Sequence, residues 1–280
     1  MKGEMMELFY EDAGVLYKYL LMELVNNGYN IKVKDRLTKE ILGMHLILND
    51  PLKNIILSPT RHINLRFAVA EWLWIMKGRN DVEYLAQYVH KMWMFSDDGS
   101  ILSGAYGPKI MEQMEYVTNT LGRDNNSRQA VMTIWERNPP PSKDIPCTIA
   151  LQFIIRDDKL NMFVNMRSSD AWLGIPYDIF SFTMIQNYLA YMLHVDLGKF
   201  HMFLGSSHLY MDNLGLAQEV ALEFAPHGRS HNIALSKVVD REYPLKYWEE
   251  MLVSKEETRK RISAYDIEEE SFDFPGIDAI

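Results

Sequence analysis

The sequence predicts a single α+β domain over residues 1–280. Three observations carry that prediction. Apolar residues recur at helical spacing in several long segments, strict alternation marks two segments flanking a four-residue turn, and no linker, repeat or low-complexity tract divides the chain.

The elements follow in order. Residues 11–25 read as a helix with Ala13, Leu16, Tyr17, Leu20, Leu21 and Leu24 on one side, stopped by Asn26, Asn27 and Gly28. Residues 29–57 suggest short strands, with a turn at Asn49-Asp50-Pro51. Residues 65–76 form a strongly apolar helix ended by Gly78, with Glu71 as a charge deep inside it. A helix is expected over 82–94, a glycine-punctuated loop over 96–107, and a helix over 109–121 closed by Gly122. Residues 130–136 read as a strand, and Asn138-Pro139-Pro140-Pro141 as an irregular connector. Segments 149–155 and 160–166 make a hairpin around Arg156-Asp157-Asp158-Lys159. In its second arm Leu160, Met162, Val164 and Met166 share one face, and Asn161, Phe163 and Asn165 share the other. Residues 179–193 form a long apolar helix, and 201–205 a strand that runs on through Ser206, Ser207, His208, Leu209 and Tyr210. The charge-dense residues 254–271 are expected at the surface.

A formal net charge of −9 argues against a general nucleic-acid binder, which carries a basic excess, but leaves room for one phosphate held by a few arginines. The single cysteine excludes an intrachain disulfide and fits a reducing compartment. Residues 1–10 (MKGEMMELFY) lack the apolar run of a leader, and no segment reaches the roughly 20 apolar residues that span a bilayer. A cytoplasmic protein without membrane partners is expected.

Six positions invite chemistry, and each also has a plain structural reading. Cys147, in Asp144-Ile145-Pro146-Cys147, is either a small buried hydrophobe or a nucleophile; the second role requires a thiolate and a positive neighbourhood. Arg128 and Arg167 stand at strand ends, where an arginine is usually solvated, but beside serines and Asp170 they suit a phosphate cradle. Glu71 either faces water or is a buried acid fit for proton transfer. His208 and Tyr210, two apart in a strand, point the same way; they are core residues or a pair for a sugar hydroxyl.

Taken in order, these residues resemble a known family. Arg128-Gln129-Ala130-Val131, Ile145-Pro146-Cys147-Thr148, Gln152-Phe153 and the run Asn165-Met166-Arg167-Ser168-Ser169-Asp170 through Leu173-Gly174-Ile175-Pro176-Tyr177 are similar to the active-site signature of thymidylate synthases. Glu71-Trp72-Leu73-Trp74 with Gly78, Tyr106-Gly107, and Gly205 with His208-Leu209-Tyr210 extend the resemblance over residues 30–215. It implies a large twisted mixed sheet packed against helices, a homodimer formed through that sheet, and active sites shared between subunits.

The resemblance also implies roles. Cys147 attacks C6 of a pyrimidine nucleotide. Arg36, Arg128 (from the partner subunit), Arg167, Ser168 and Gln152 bind the nucleotide, and His208 and Tyr210 take the sugar hydroxyl. Glu71 moves protons at the base. Trp93, Tyr106, Asp170, Gly174 and the terminal Ile280 form the site for 5,10-methylenetetrahydrofolate, the cosubstrate; no metal is expected.

Departures refine this. Thymidylate synthases place asparagine where this chain has Asp178, and the bacteriophage deoxycytidylate hydroxymethylases place aspartate. A carboxyl accepts from the cytosine amino group and, when protonated, donates to N3, so Asp178 points to cytosine. The plain alternative is a helix cap near Ile179. The Cys147-Thr148, Ile155-Arg156-Asp157 and Val164-Asn165-Met166-Arg167-Ser168 blocks also resemble the hydroxymethylase branch. The glycine-threonine motif expected after Arg36 is missing, Gln129 replaces a second arginine, Ser96 stands where a second folate-contacting tryptophan is common, and the tail over 272–280 is short. The expected activity is therefore dCMP 5-hydroxymethylation with methylenetetrahydrofolate and water. The alternatives are thymidylate synthesis from dUMP, CMP hydroxymethylation, and an inactive nucleotide- or RNA-binding relative.

Overall fold

The computed structural model describes residues 6–33 and 35–223. The expected surface element over 254–271, the short tail and Ile280 lie outside the described residues.

The first strand, β1 (Met6–Tyr10), had no signal in the sequence reading; it is short and pairs in parallel with the C-terminal end of a longer strand. Helix α1 (Ala13–Asn27) begins where Asp12 accepts the Val15 N–H at 2.8 Å and ends at Gly28. The short strands expected over 29–57 are a five-residue β2 (Tyr29–Val33) and one thirteen-residue β3 (Arg36–Leu48). Gly43 interrupts β3 at a φ of 66°, a conformation glycine adopts without strain, and the strand continues past it.

Helix α2 (Leu65–Met76) matches its expected bounds, opened by Asn64 accepting the Phe67 N–H. The helix expected over 82–94 is broken. Only α3 (Val82–Ala86) is α-helical, and a 3-10 helix (His90–Phe95) follows. The reason is burial: Val82 and Leu85 anchor α3, whereas nothing in the 3-10 segment is buried, so no apolar stripe holds further turns. Helix α4 (Gly107–Arg123) runs through Gly122 rather than stopping before it. The strand expected over 130–136 shrinks to β4 (Val131–Thr133), because Ile134 and Trp135 both donate to the Ile149 carbonyl and end the ladder.

The hairpin is as read: β5 (Thr148–Arg156) and β6 (Lys159–Met166), joined through Asp157 and Asp158, both at positive φ. A two-residue β7 (Ser169–Asp170) leads to α5 (Ile175–Leu193). Gly174 is the cap of α5, which places Asp178 inside the first turn and rules out its reading as the cap. Strand β8 (Asp196–Tyr210) is one fifteen-residue strand, and α6 (Leu214–Leu222) follows it.

The strands form one mixed sheet in the order β1-β3-β8-β6-β5-β4, with β2 beside β3 and β7 beside β8. Alternation gives each strand one apolar face. Met44, Leu46 and Leu48, Met162 and Val164, Leu151 and Phe153, and Phe200 and Met202 point to one side and are buried. There α1, α2 and α5 close the core. Helices α2 and α5 are apolar on almost every side because other elements surround them. The opposite face carries a ring ladder: Phe163 on His201 at 4.5 Å, and His45 on Phe203 at 4.1 Å. Both are directly paired across strands.

Candidate active site

Cys147 sits on the bend that feeds β5, and the Arg167 N–H at the end of β6 donates to its carbonyl at 2.9 Å. The Arg167 guanidinium lies beneath the bend and donates to the Pro146 and Ile145 carbonyls, each at 3.0 Å. The cation is thus fixed by backbone next to the thiol.

On the helix side of the sheet a cavity of about 170 Å³ is lined by Cys147 together with Glu71, Tyr106, Asp144, Asp178 and Ser181. Three helices supply these groups. Glu71 comes from α2, Tyr106 from the start of α4, and Asp178 and Ser181 from the first turns of α5. Four residues separated by more than a hundred positions converge, and the sequence reading had assigned a role to each of Cys147, Glu71, Tyr106 and Asp178.

The cavity favours neutral groups. Burial pushes the Glu71 carboxyl up to about 8, with nearby Asp178 adding and Ser181 opposing. Burial likewise raises Asp178 to about 7; a hydrogen bond from Ser169 opposes this and Asp170 adds to it. Ser169 Oγ donates to Asp178 Oδ2 at 3.1 Å. Burial also raises the Tyr106 phenol. The Cys147 thiol is pushed up too, chiefly by burial, and Arg167 is the cation that pulls it back against Asp178, Asp144 and Asp170. The positive neighbourhood expected for a thiolate is therefore one arginine facing several acids.

The other predicted residues among those described do not line the cavity. Ser168 Oγ and His208 Nδ1 are 3.3 Å apart, and His208 stands edge-on to Tyr210 at 5.4 Å. Burial lowers the His208 imidazole, with Asp170 and Glu40 opposing. Asp170 accepts the Trp172 and Leu173 N–H groups at 2.8 and 3.1 Å, shaping the turn into α5. Gly174 is enclosed in that turn: a side-chain carbon there would lie 3.2 Å from the Asp170 carbonyl and 3.3 Å from Asp178. Trp93 is on the 3-10 helix, 36% exposed, next to Met92, which does line the cavity. Arg36 is occupied elsewhere, paired with Asp212 at 2.7 Å and stacked on Tyr210 at 3.7 Å. Arg128 is exposed on the far side of the sheet, its carbonyl held by Gln152 at 3.1 Å.

Four contributors were not assigned a role from sequence. Asp144 lines the cavity beside Cys147, and Ser169, although it lies inside the quoted signature, and Ser181 lie against the two acids. Arg61 is buried and donates twice to the Trp172 carbonyl, at 3.1 and 3.0 Å, bracing the turn before α5. Its only signal was its place just before the apolar α2.

Comparison with known proteins places the chain in a family. The sequence model of the family described as "Thymidylate synthase" matches residues 16–266. A protein of Bacillus phage SP01 named deoxyuridylate hydroxymethyltransferase is 30% identical over 222 residues, which cover 71% of this chain and 57% of that protein. A protein of the same name from Pseudomonas phage M6 is 29% identical over 181 residues, covering 61% and 52%. The chain thus spans little more than half the length of these relatives.

Proposed function

The chain belongs to the thymidylate synthase family, and from that premise we propose that it is a pyrimidine nucleotide C5 hydroxymethylase working through a Cys147 adduct. The observation that carries this is the cavity that sets Cys147 beside Glu71, Tyr106 and Asp178. The names of the phage relatives support hydroxymethyl over methyl transfer.

In the proposed reaction the Cys147 thiolate adds to C6, which makes C5 a carbon nucleophile. Methylenetetrahydrofolate supplies the one-carbon unit. Arg167 holds the thiolate against the surrounding acids. Glu71, neutral below about 8, is placed to give or receive protons at the base. Loss of the C5 proton and of tetrahydrofolate leaves an exocyclic methylene, to which water adds. The working unit is a homodimer in which Arg128 of one subunit reaches the phosphate in the other.

Cytosine is the base we favour, because Asp178 replaces the asparagine of the synthases. A second reading, uracil, is favoured by the relatives' names and by the raised pKa of Asp178. A neutral carboxyl offers one donor and one acceptor, which fit O4 and N3–H of uracil as well as N3 and the amino group of cytosine. Incubation with methylenetetrahydrofolate and dCMP, CMP or dUMP separately, with the mass added to each nucleotide, decides. Addition of CH2O to dCMP is the expected result. CH2O added to dUMP alone moves the substrate to uracil, and CH2 added to any of them makes the protein a methylase.

A further inference from the structure

Asp144 stands three residues before Cys147 and lines the same cavity. Its Oδ2 accepts the Gly104 N–H at 2.8 Å. Gly104 is so close that a side-chain carbon there would sit 2.9 Å from the Asp144 carboxylate, so the carboxylate rests against bare backbone. The segment is braced from its other side: the Asp144 N–H donates to Ser142 Oγ at 3.0 Å, and the Lys143 N–H to Asp97 Oδ1 at 3.1 Å. One carboxylate oxygen is committed to the loop, and among the described residues the other takes no hydrogen bond.

The two other acids of the cavity are otherwise engaged. Glu71 is held protonated up to about 8, and Asp178 accepts a hydrogen bond from Ser169. Asp144 differs in position. It is half-buried, on the wall where the cavity meets the 96–107 loop, so water reaches it. Burial raises its carboxyl, opposed by the Gly104 N–H and aided by Asp97, which makes it a stronger base than an ordinary carboxylate.

We propose that Asp144 is the general base of the hydration step, taking the proton from the water that attacks the exocyclic methylene. The assignment rests on the hydroxymethylase reading above. One O–H bond of water breaks as the water oxygen bonds to the methylene carbon, and the proton passes to Asp144. The electron pair of the exocyclic double bond moves into the ring towards C4, then returns to form C5=C6 and expel the Cys147 thiolate. Asp144 gives its proton to solvent. No oxidant or reductant enters, and tetrahydrofolate has already left unoxidised.

The test is Asp144→Asn, which keeps an oxygen for the Gly104 N–H and removes the base. In a single turnover, with enzyme in excess over 5-tritiated nucleotide and with methylenetetrahydrofolate present, tritium release precedes hydration and its rate should stay within a few-fold of wild type. Hydroxymethyl product should fall by about 10²-fold or more, while a Cys147-linked nucleotide accumulates in the mass of the denatured protein. In Asp144→Ala, added formate should restore part of the hydration rate, a rescue that a merely structural role would not give. Product formation near wild type in Asp144→Asn overturns the assignment. So does a parallel fall of tritium release and product with no formate rescue, which makes Asp144 a brace. A methyl product from wild-type protein overturns the hydroxymethylase reading itself, and the role of Asp144 with it.

Discussion

At the scale of single residues, the site is governed by which groups carry charge. Cys147 lies beside one cation and several acids, so the thiol form dominates until substrate arrives. Removing the sulfur removes the bond to C6 and nothing else in the cavity wall. Cys147→Ala should therefore abolish turnover while calorimetry still detects nucleotide binding; full activity in that variant would end the covalent mechanism. In the proposed reaction Asp178 carries the choice of base. Its Oδ2 is fixed by Ser169, so an amide in its place would present a donor to O4 and an acceptor to N3–H. Asp178→Asn should shift the ratio of kcat/KM for dUMP over dCMP upward by about tenfold to a hundredfold, the cost of one unpaired buried polar group. An unchanged ratio would strip Asp178 of that role.

At the scale of elements, helix α2 pays for its function. It is apolar almost throughout, and Glu71 projects from it into a desolvated wall shared with α5. The fold accepts the neutral acid. Between the ordinary carboxylate range and about 8, the folded protein keeps a proton that the unfolded chain has released, so stability falls as pH rises through that window. Glu71→Gln lacks that proton, and its chemical-denaturation midpoint should decline less than wild type between pH 6 and pH 9. Equal declines would mean Glu71 is ionised at no cost. The same helix shows what the sequence made legible. Its bounds follow from an unbroken apolar run ended by Gly78, and those of the β5–β6 hairpin from alternation, because each is buried by its neighbours. The break between α3 and the 3-10 helix was hidden, since apolar residues at 93–95 satisfy a helical pattern yet are exposed. Strand β1 was hidden because its five residues gain their structure from pairing with β3, a long-range contact that local pattern does not encode. In the site, Cys147, Glu71, Tyr106 and Asp178 were legible from the order of motifs. Asp144 was not, because its meaning comes from Gly104, forty positions away.

At the scale of the whole molecule, the two faces of the sheet differ in what covers them. Helices α1, α2 and α5 bury one face, and on that side α2, the start of α4 and α5 line the cavity. The other presents Phe163, His201, His45 and Phe203 in stacked contact, with Glu7 bonded to His45 at 3.0 Å, and no described helix of this chain lies over them. Gln152 pairs with Phe163 across the strands, so it belongs to that second face, and it holds the backbone of Arg128. The Arg128 backbone therefore sits at that second face, and in the dimer proposed above its side chain serves the site of a second copy packed face to face. Such a pairing follows closed two-fold symmetry, in which each subunit gives what it receives. Sedimentation should find a dimer. Arg128→Ala and Cys147→Ala should each be inactive alone. Mixed after subunit exchange, half the dimers are hybrids with one complete site apiece, and activity should return to about a quarter of wild type. A mixture that stays inactive while hybrids are seen by native mass spectrometry would confine each site to one chain.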